Sequence, residues 1–333
     1  MSSKTSFAGL LAGLAFVGVL VAWQGLDQVA GILGTAGWSL LLVCLLAPPE
    51  ALLASEAWRH LFPSDRKPGI WQTLCASWMG VAVNTLLPVA TIGGEIVKAR
   101  VLTLWGSLAS DTVSTTIVDK TVQAIVILFS GLIGIAVLAT LAPAEEVLLG
   151  GLIGAVALAL GIGGFVAVQL LGSFTFLANS GARLLKAWRW QNSAVAGERL
   201  DDAIRAIYRR PGAIALACGL RMAGSIWLVS EIVLASHLLG QPIGLPEAIM
   251  LRALVGAIRG LLFVVPAGLG LQEGGYVALG ALIGLPADLM LALSLASRVR
   301  EIAPAIPFLI LWQHIEGRAL WRRHLSEECK QRS

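Results

Sequence analysis

Six runs of apolar sequence, at about 7–24, 37–57, 112–140, 147–171, 211–239 and 288–312, set the terms for any fold of this chain. As helices rising about 1.5 Å per residue, they approach or exceed the roughly 30 Å of a bilayer's hydrocarbon core. Backbone groups in lipid must find partners within their own segment, so helices are the form such runs take. Charge content agrees: 13% of the 333 residues are charged, against about 25% in a soluble domain. The expected fold is an all-α polytopic membrane protein, one integral membrane domain over 1–333. The first run is followed by Gln24-Gly25-Leu26-Asp27 without a small-residue cleavage site, so it reads as a span, not a removed signal.

Basic residues orient the spans. The connections 25–36, 141–146, 240–246 and 284–287 contain no Lys or Arg. By contrast, 58–69 holds Arg59, Arg66 and Lys67, and 173–210 holds Arg183, Lys186, Arg189, Arg199, Arg205, Arg209 and Arg210. The tail 314–333 adds Arg318, Arg322, Arg323, Lys330 and Arg332. Basic loops stay inside, which predicts a cytoplasmic linker and both termini cytoplasmic. Within the linker, Leu200, Ile204, Ile207 and Tyr208 share one helical face among arginines, which predicts an amphipathic helix lying on the membrane surface.

Two further stretches break the apolar pattern. Asn84-Thr85-Leu86-Leu87-Pro88 leads to Gly93-Gly94-Glu95, with Lys98 and Arg100 beyond. Far downstream, Pro266-Ala267-Gly268-Leu269-Gly270 leads to Gln272-Glu273. In both, a glutamate stands seven positions after a proline (95−88 and 273−266). Proline removes a backbone donor and glycine admits unusual dihedrals, so each stretch interrupts a helix. Such breaks persist at membrane depth only where protein or a polar cavity covers them. The basic flanks make 70–108 a hairpin entering from the cytoplasmic side, and the uncharged flanks make 247–285 one entering from the other. The first is expected to be re-entrant; the second could cross. A matched pair of broken segments in two halves predicts an inverted repeat with a binding site between them.

Charges inside the apolar runs narrow the site. Each costs on the order of 3 kcal/mol at mid-membrane, so each should face a partner or a wet cavity. Glu50 follows Pro48-Pro49, Asp119-Lys120 interrupts the third run, Arg221 and Glu231 lie in the fifth, and Arg298, Arg300 and Glu301 in the sixth. The spacing predicts ion pairs Asp119–Lys120 and Arg298–Glu301, leaving Arg300 for a hairpin carboxylate. Pairs of this kind also serve only to fix helix register, and Glu95 also suits the positive end of a helix dipole. Glycine spacings such as Gly9/Gly13 and Gly150/Gly154/Gly161/Gly164 read as helix-packing signals. Cys44, Cys75, Cys218 and Cys329 and the four scattered histidines form no metal-ligand spacing, and no phosphate-binding G-x-x-x-x-G-K-[ST] occurs, so no metal or cofactor is expected.

N-x-x-L-P followed by G-G-E, then P-x-G-L-G-x-x-E, resembles the flippase-like membrane region of lysylphosphatidylglycerol synthases and their stand-alone relatives. The wording at 87–95, 271–275 and 294–301 is most similar to the branch associated with hopanoid biosynthesis. Where that family often carries Glu-Arg-x-x-Asp, this chain has Asp119-Lys120-x-x-Gln123. The resemblance implies a non-enzymatic lipid transporter of the bacterial inner membrane whose partner is a membrane lipid (hopanoid, isoprenoid or phospholipid), with lipid-biosynthetic enzymes as further partners and no nucleic acid. The alternatives are a membrane subunit of an aminoacyl-lipid synthase and a scaffold for lipid-biosynthetic enzymes. The expected substrate-binding residues are Asn84, Thr85, Glu95, Arg100, Gln272, Glu273, Arg298 and Arg300.

Overall fold

The computed structural model describes residues 38–87, 92–142, 145–171, 193–261 and 270–332, and among these every regular element is helical. A 3-10 stretch, Trp38–Leu46, runs into α1 (Ala47–Leu61). Pro48 and Pro49 fall in the first turn of α1, where their missing amides take nothing from the helix. α2 (Ile70–Leu86) and α3 (Ile92–Leu104) form the first hairpin, followed by α4 (Ala109–Leu141) and α5 (Glu145–Leu170). α6 (Ser193–Tyr208) precedes α7 (Pro211–Trp227) and α8 (Val229–Leu238), which follow one another through Leu228. The second hairpin is α9 (Leu245–Leu261) and α10 (Leu271–Leu282), and α11 (Ala287–Arg332) closes the chain.

Four stretches are long and apolar enough to cross a membrane: Leu41–Leu61, Ala109–Leu141, Glu145–Leu170 and Pro211–Leu238. They coincide with four of the six runs. The run at 7–24 lies outside the described residues. The run at 288–312 is helical but does not qualify as apolar, because Arg298, Arg300 and Glu301 interrupt it. Nor is the tail a separate unit: α11 continues for 46 residues to Arg332, about 69 Å at helical rise.

Two hydrophobic cores divide the bundle. The first gathers Trp58, Leu61, Met79, Leu86, Leu102 and Val122 with Ile204 and Leu309. The second gathers Val43, Leu138, Ile232, Met250, Val255, Leu279 and Leu293. α1 spans both, with Val43 just ahead of it in one core, Ala57 in the other and Glu50 between. α11 does the same, with Ala296 in the second core, Ala305 in the first and its three charges between. α2 and α3 pack in the first core and α9 and α10 in the second.

Close backbone approach holds these parts together. A Cβ at Gly94 would collide with the Gly80 carbonyl and with Asn84, so α2 and α3 meet at van der Waals range only because both glycines lack one. α4 meets α9 in the same way: a Cβ at Gly134 would lie 2.8 Å from Leu254, and one at Gly260 2.9 Å from Ile127.

Two expectations are corrected here. Gly150, Gly154, Gly161 and Gly164 of α5 do not serve helix packing among the described residues: a Cβ at any of them meets nothing within 4 Å, whereas one at Gly151 would lie 3.2 Å from Ile135. The apolar face of α6 is not left to lipid. Ile204 and Ile207 are buried in the first core, and the Tyr208 hydroxyl donates to Gln169 of α5 at 3.0 Å. Gln169 is itself fully buried and donates to Thr121 of α4 at 3.0 Å. Arg210 adds donors to the last carbonyls of α1, reaching Phe62 O at 3.1 Å and Leu61 O at 2.5 Å. The helix is amphipathic because it has a protein surface to cover. The part of the expected linker at 173–192 lies outside the described residues.

Candidate functional site: a charged belt between the two cores

Between the cores the ionisable side chains form two linked groups. In the first, Asp119 of α4 is the hub. Its carboxylate accepts Lys98 Nζ of α3 at 2.6 Å and a forked pair of bonds from Arg221 of α7 at 2.7 and 2.8 Å. Only 1% of Asp119 is exposed, so two cations beside it are what make its burial tolerable. Lys98 also stands over the Trp58 ring, 4.0 Å from its centroid. Glu95, in the first turn of α3, lies 2.7 Å from Lys120 and 3.5 Å from Lys98. Lys120 donates in turn to Gln123 at 2.9 Å.

The second group is built on α11. Arg298 Nε reaches Glu273 at 2.5 Å, Arg300 Nε lies 2.8 Å from Glu231 of α8, and Arg259 of α9 lies 2.8 Å from Glu301. Arg259 donates also to Gln272 Oε1 at 2.8 Å, and Gln272 Nε2 donates to Ser294 O at 2.9 Å. Pro304 lacks the amide that would have met the Arg300 carbonyl, so this part of α11 carries backbone polarity as well. Glu50 lies between the groups, within electrostatic reach of both Arg221 and Arg300. The belt cations Lys98, Lys120, Arg221, Arg259, Arg298 and Arg300 equal in number the acids Glu50, Glu95, Asp119, Glu231, Glu273 and Glu301.

The pairing differs from the spacing-based expectation. Asp119 does not pair with Lys120: neighbours one residue apart point about 100° apart on a helix, so each takes a partner from another helix. Arg298 turns to Glu273 and leaves Glu301 to Arg259, while Arg300 takes Glu231 instead of a hairpin carboxylate. Arg300 and Glu301 approach only to 3.6 Å. Arg100 stands apart from the belt and pairs with Glu316 at 2.5 Å. Asn84 acts within its own hairpin, where its Oδ1 accepts the Gly94 amide at 2.7 Å and so caps α3 from α2. Thr85 is half-buried on α2 beside it. Pro88, Thr91, Pro266 and Gly268 lie outside the described residues. Lys98, Arg221, Glu231 and Arg259 belong to the belt but were not among the expected site residues. Lys98 had a signal in its position one helical turn after Glu95.

Among the described residues no group of three or more His, Cys, Asp or Glu is arranged to hold a metal ion. The arrangement can hold a polar or charged group at a level that apolar packing closes on both sides. A family model described as the lysylphosphatidylglycerol synthase TM region matches residues 10–307. The chain belongs to that family. Membership makes it a multi-pass membrane protein tied to lipid biosynthesis or transport, in keeping with its apolar helices. No curated protein and no solved structure matches the chain.

Proposed function

We propose that this chain is a bacterial inner-membrane lipid transporter of the flippase type. Its cargo is a hopanoid or another isoprenoid-type amphipathic lipid, and it works as a transporter, not as an enzyme. The observation that supports this best is the charged belt, to which both hairpins contribute side chains, Glu95 and Lys98 from α3 and Arg259 and Glu273 from α9 and α10. Ion pairs offset the cost of these charges in lipid, and a level already polar is where a lipid headgroup is admitted at least cost. α3 and α10 have 13 and 12 residues; at about 20 and 18 Å they fall short of a roughly 30 Å hydrocarbon core, which favours re-entrant hairpins.

In this reading α11 and the run at 7–24 complete six spans, and the hairpins form an inverted repeat. The linker and both termini face the cytoplasm, as the Lys and Arg distribution requires. The headgroup sits at the belt among Asn84, Thr85, Glu95, Gln272, Glu273, Arg298 and Arg300, while the tail stays in lipid. Arg100 is left out of this set because Glu316 engages it. α6 is the surface on which lipid-biosynthetic enzymes would dock.

The test is reconstitution into liposomes that carry a fluorescent isoprenoid-lipid analogue, with external dithionite reporting the fraction exposed. Transport above protein-free liposomes is expected, together with altered lipid profiles of inner and outer membranes in cells lacking the gene. Unchanged profiles and no transport would sink the reading. A lost aminoacylated lipid with no transport would favour a subunit of an aminoacyl-lipid synthase.

A further inference from the structure

At the start of α10 the pairing leaves something over. Gly270 has φ +77°, a left-handed value that glycine adopts without strain, and the first turn of α10 follows it. That turn presents unpaired amides and the positive end of the helix dipole. The Glu273 carboxylate folds back onto it. One oxygen accepts the Gly270 amide at 2.9 Å and the other accepts Arg298 Nε at 2.5 Å. This carboxylate is the more open partner, with a third of its side chain exposed (33%) against 6% for Arg298. Arg298 Nη2 is buried and has no hydrogen-bond partner among the described residues.

A guanidinium is a planar fork made for two oxygens of a carboxylate or phosphate. Here only one tine is used, and a buried donor left unmet carries a real cost. An unfilled guanidinium donor beside a helix N-terminus is the chemistry of an anion site. Its present occupant is a side chain within reach of solvent.

We propose that Glu273 stands in for a ligand anion. The first turn of α10 and Arg298 form a site for the phosphate of a lipid headgroup, and the Glu273 carboxylate fills it until the phosphate displaces it. The bound phosphate then takes both tines of Arg298 and the Gly270 amide, and no bond is made or broken. This rests on the lipid-transport reading and narrows it to phosphate-bearing lipids.

The experiment titrates the purified full-length chain in maltoside micelles by calorimetry. The probes are dioctanoylphosphatidic acid, dioctanoylglycerol and inorganic phosphate. Glu273→Gln keeps the cap on Gly270 but removes the competing charge, so phosphatidic acid should bind about 10-fold more tightly than to the unaltered chain. Glu273→Ala should do the same. Arg298→Gln should weaken binding about 10-fold or more, and dioctanoylglycerol should bind without responding to any of these changes. Unchanged or weaker binding in both Glu273 variants overturns the proposal, whether or not Arg298→Gln folds. Inorganic phosphate binding as tightly as phosphatidic acid would overturn the lipid source of the anion. Because binding is read without transport, this binding pattern in a chain that moves no lipid would sink the transport reading alone.

Discussion

Asn84 accepts the amide hydrogen of Gly94 across the first hairpin, at 2.7 Å, and Gly94 lies against the carbonyl of Gly80. One contact thus caps α3 and sets the spacing of α2 and α3. Replacing Gly94 by Ala puts a methyl group where a backbone oxygen and the Asn84 side chain already stand. A loss of about 2–4 kcal/mol is expected, since backbone cannot move aside as a side chain can. Gel-filtration recovery of the solubilised protein after graded heating checks it: Gly94→Ala should aggregate at lower temperature, whereas Gly164→Ala, which meets open space, should not.

Asp119 should be the least replaceable belt residue. Asp119→Asn leaves Lys98 and Arg221 buried without their shared counter-charge, a change worth about 3–5 kcal/mol. Low abundance in the membrane fraction is the expected result. Adding Arg221→Met should recover part of it, because the second change removes one of the stranded cations. A double-mutant cycle measures the coupling, and strict additivity would mean the forked contact contributes nothing.

Glu95 should behave in the opposite way. Glu95→Gln still offers Lys120 an oxygen, so the protein should accumulate normally. Transport in the liposome assay should fall about 10-fold, the size of a charge-assisted bond weakened to a neutral one. Normal transport at normal abundance would assign Glu95 a purely structural place at the start of α3.

Glu301→Gln separates scaffold from site within the second group. Its carboxylate neutralises Arg259, so this change should lower abundance more than Glu95→Gln does. Quantitative immunoblots of membranes, normalised to transcript, give the comparison.

Arg210→Met should loosen α6 without touching the belt. It removes donors to the Leu61 and Phe62 carbonyls, each worth about 1.5–3 kcal/mol at most. Faster protease cleavage near Ser193 in intact inside-out vesicles is the expected readout, with lipid binding at Arg298 unchanged.

The helices were legible where the sequence is monotonous. The third, fourth and fifth apolar runs became membrane-length helices within a few residues, because nothing but length and apolarity decides such elements. The charges were legible as a set but not as pairs. Spacing along one helix points to Arg298–Glu301, yet three helices converge on this level and supply nearer partners in Glu273, Glu231 and Arg259. Tertiary packing decides among partners that one-dimensional spacing treats as absent. α6 shows the same limit: its amphipathic face predicted a helix lying on the membrane surface, whereas the first core, Gln169 and the end of α1 cover that face. Glu95 and Glu273, set at one distance from a proline in the sequence, each stand in the first turn of the second helix of a hairpin. Their different partners, lysines for one and an arginine for the other, were not.

The placement of Arg298, Arg300 and Glu301 on the final helix bears on how the chain is made. Glu231, Arg259 and Glu273 are all synthesised earlier, and each waits for a counter-charge that leaves the ribosome last. Until α11 arrives, the nascent protein holds three ionised side chains at a depth where each costs on the order of 3 kcal/mol. Those helices therefore have reason to remain beside the insertion machinery, where water is near, until the closing segment reaches them. A chain stopped at residue 286 should stay bound there or be degraded, although every helix before α11 is complete.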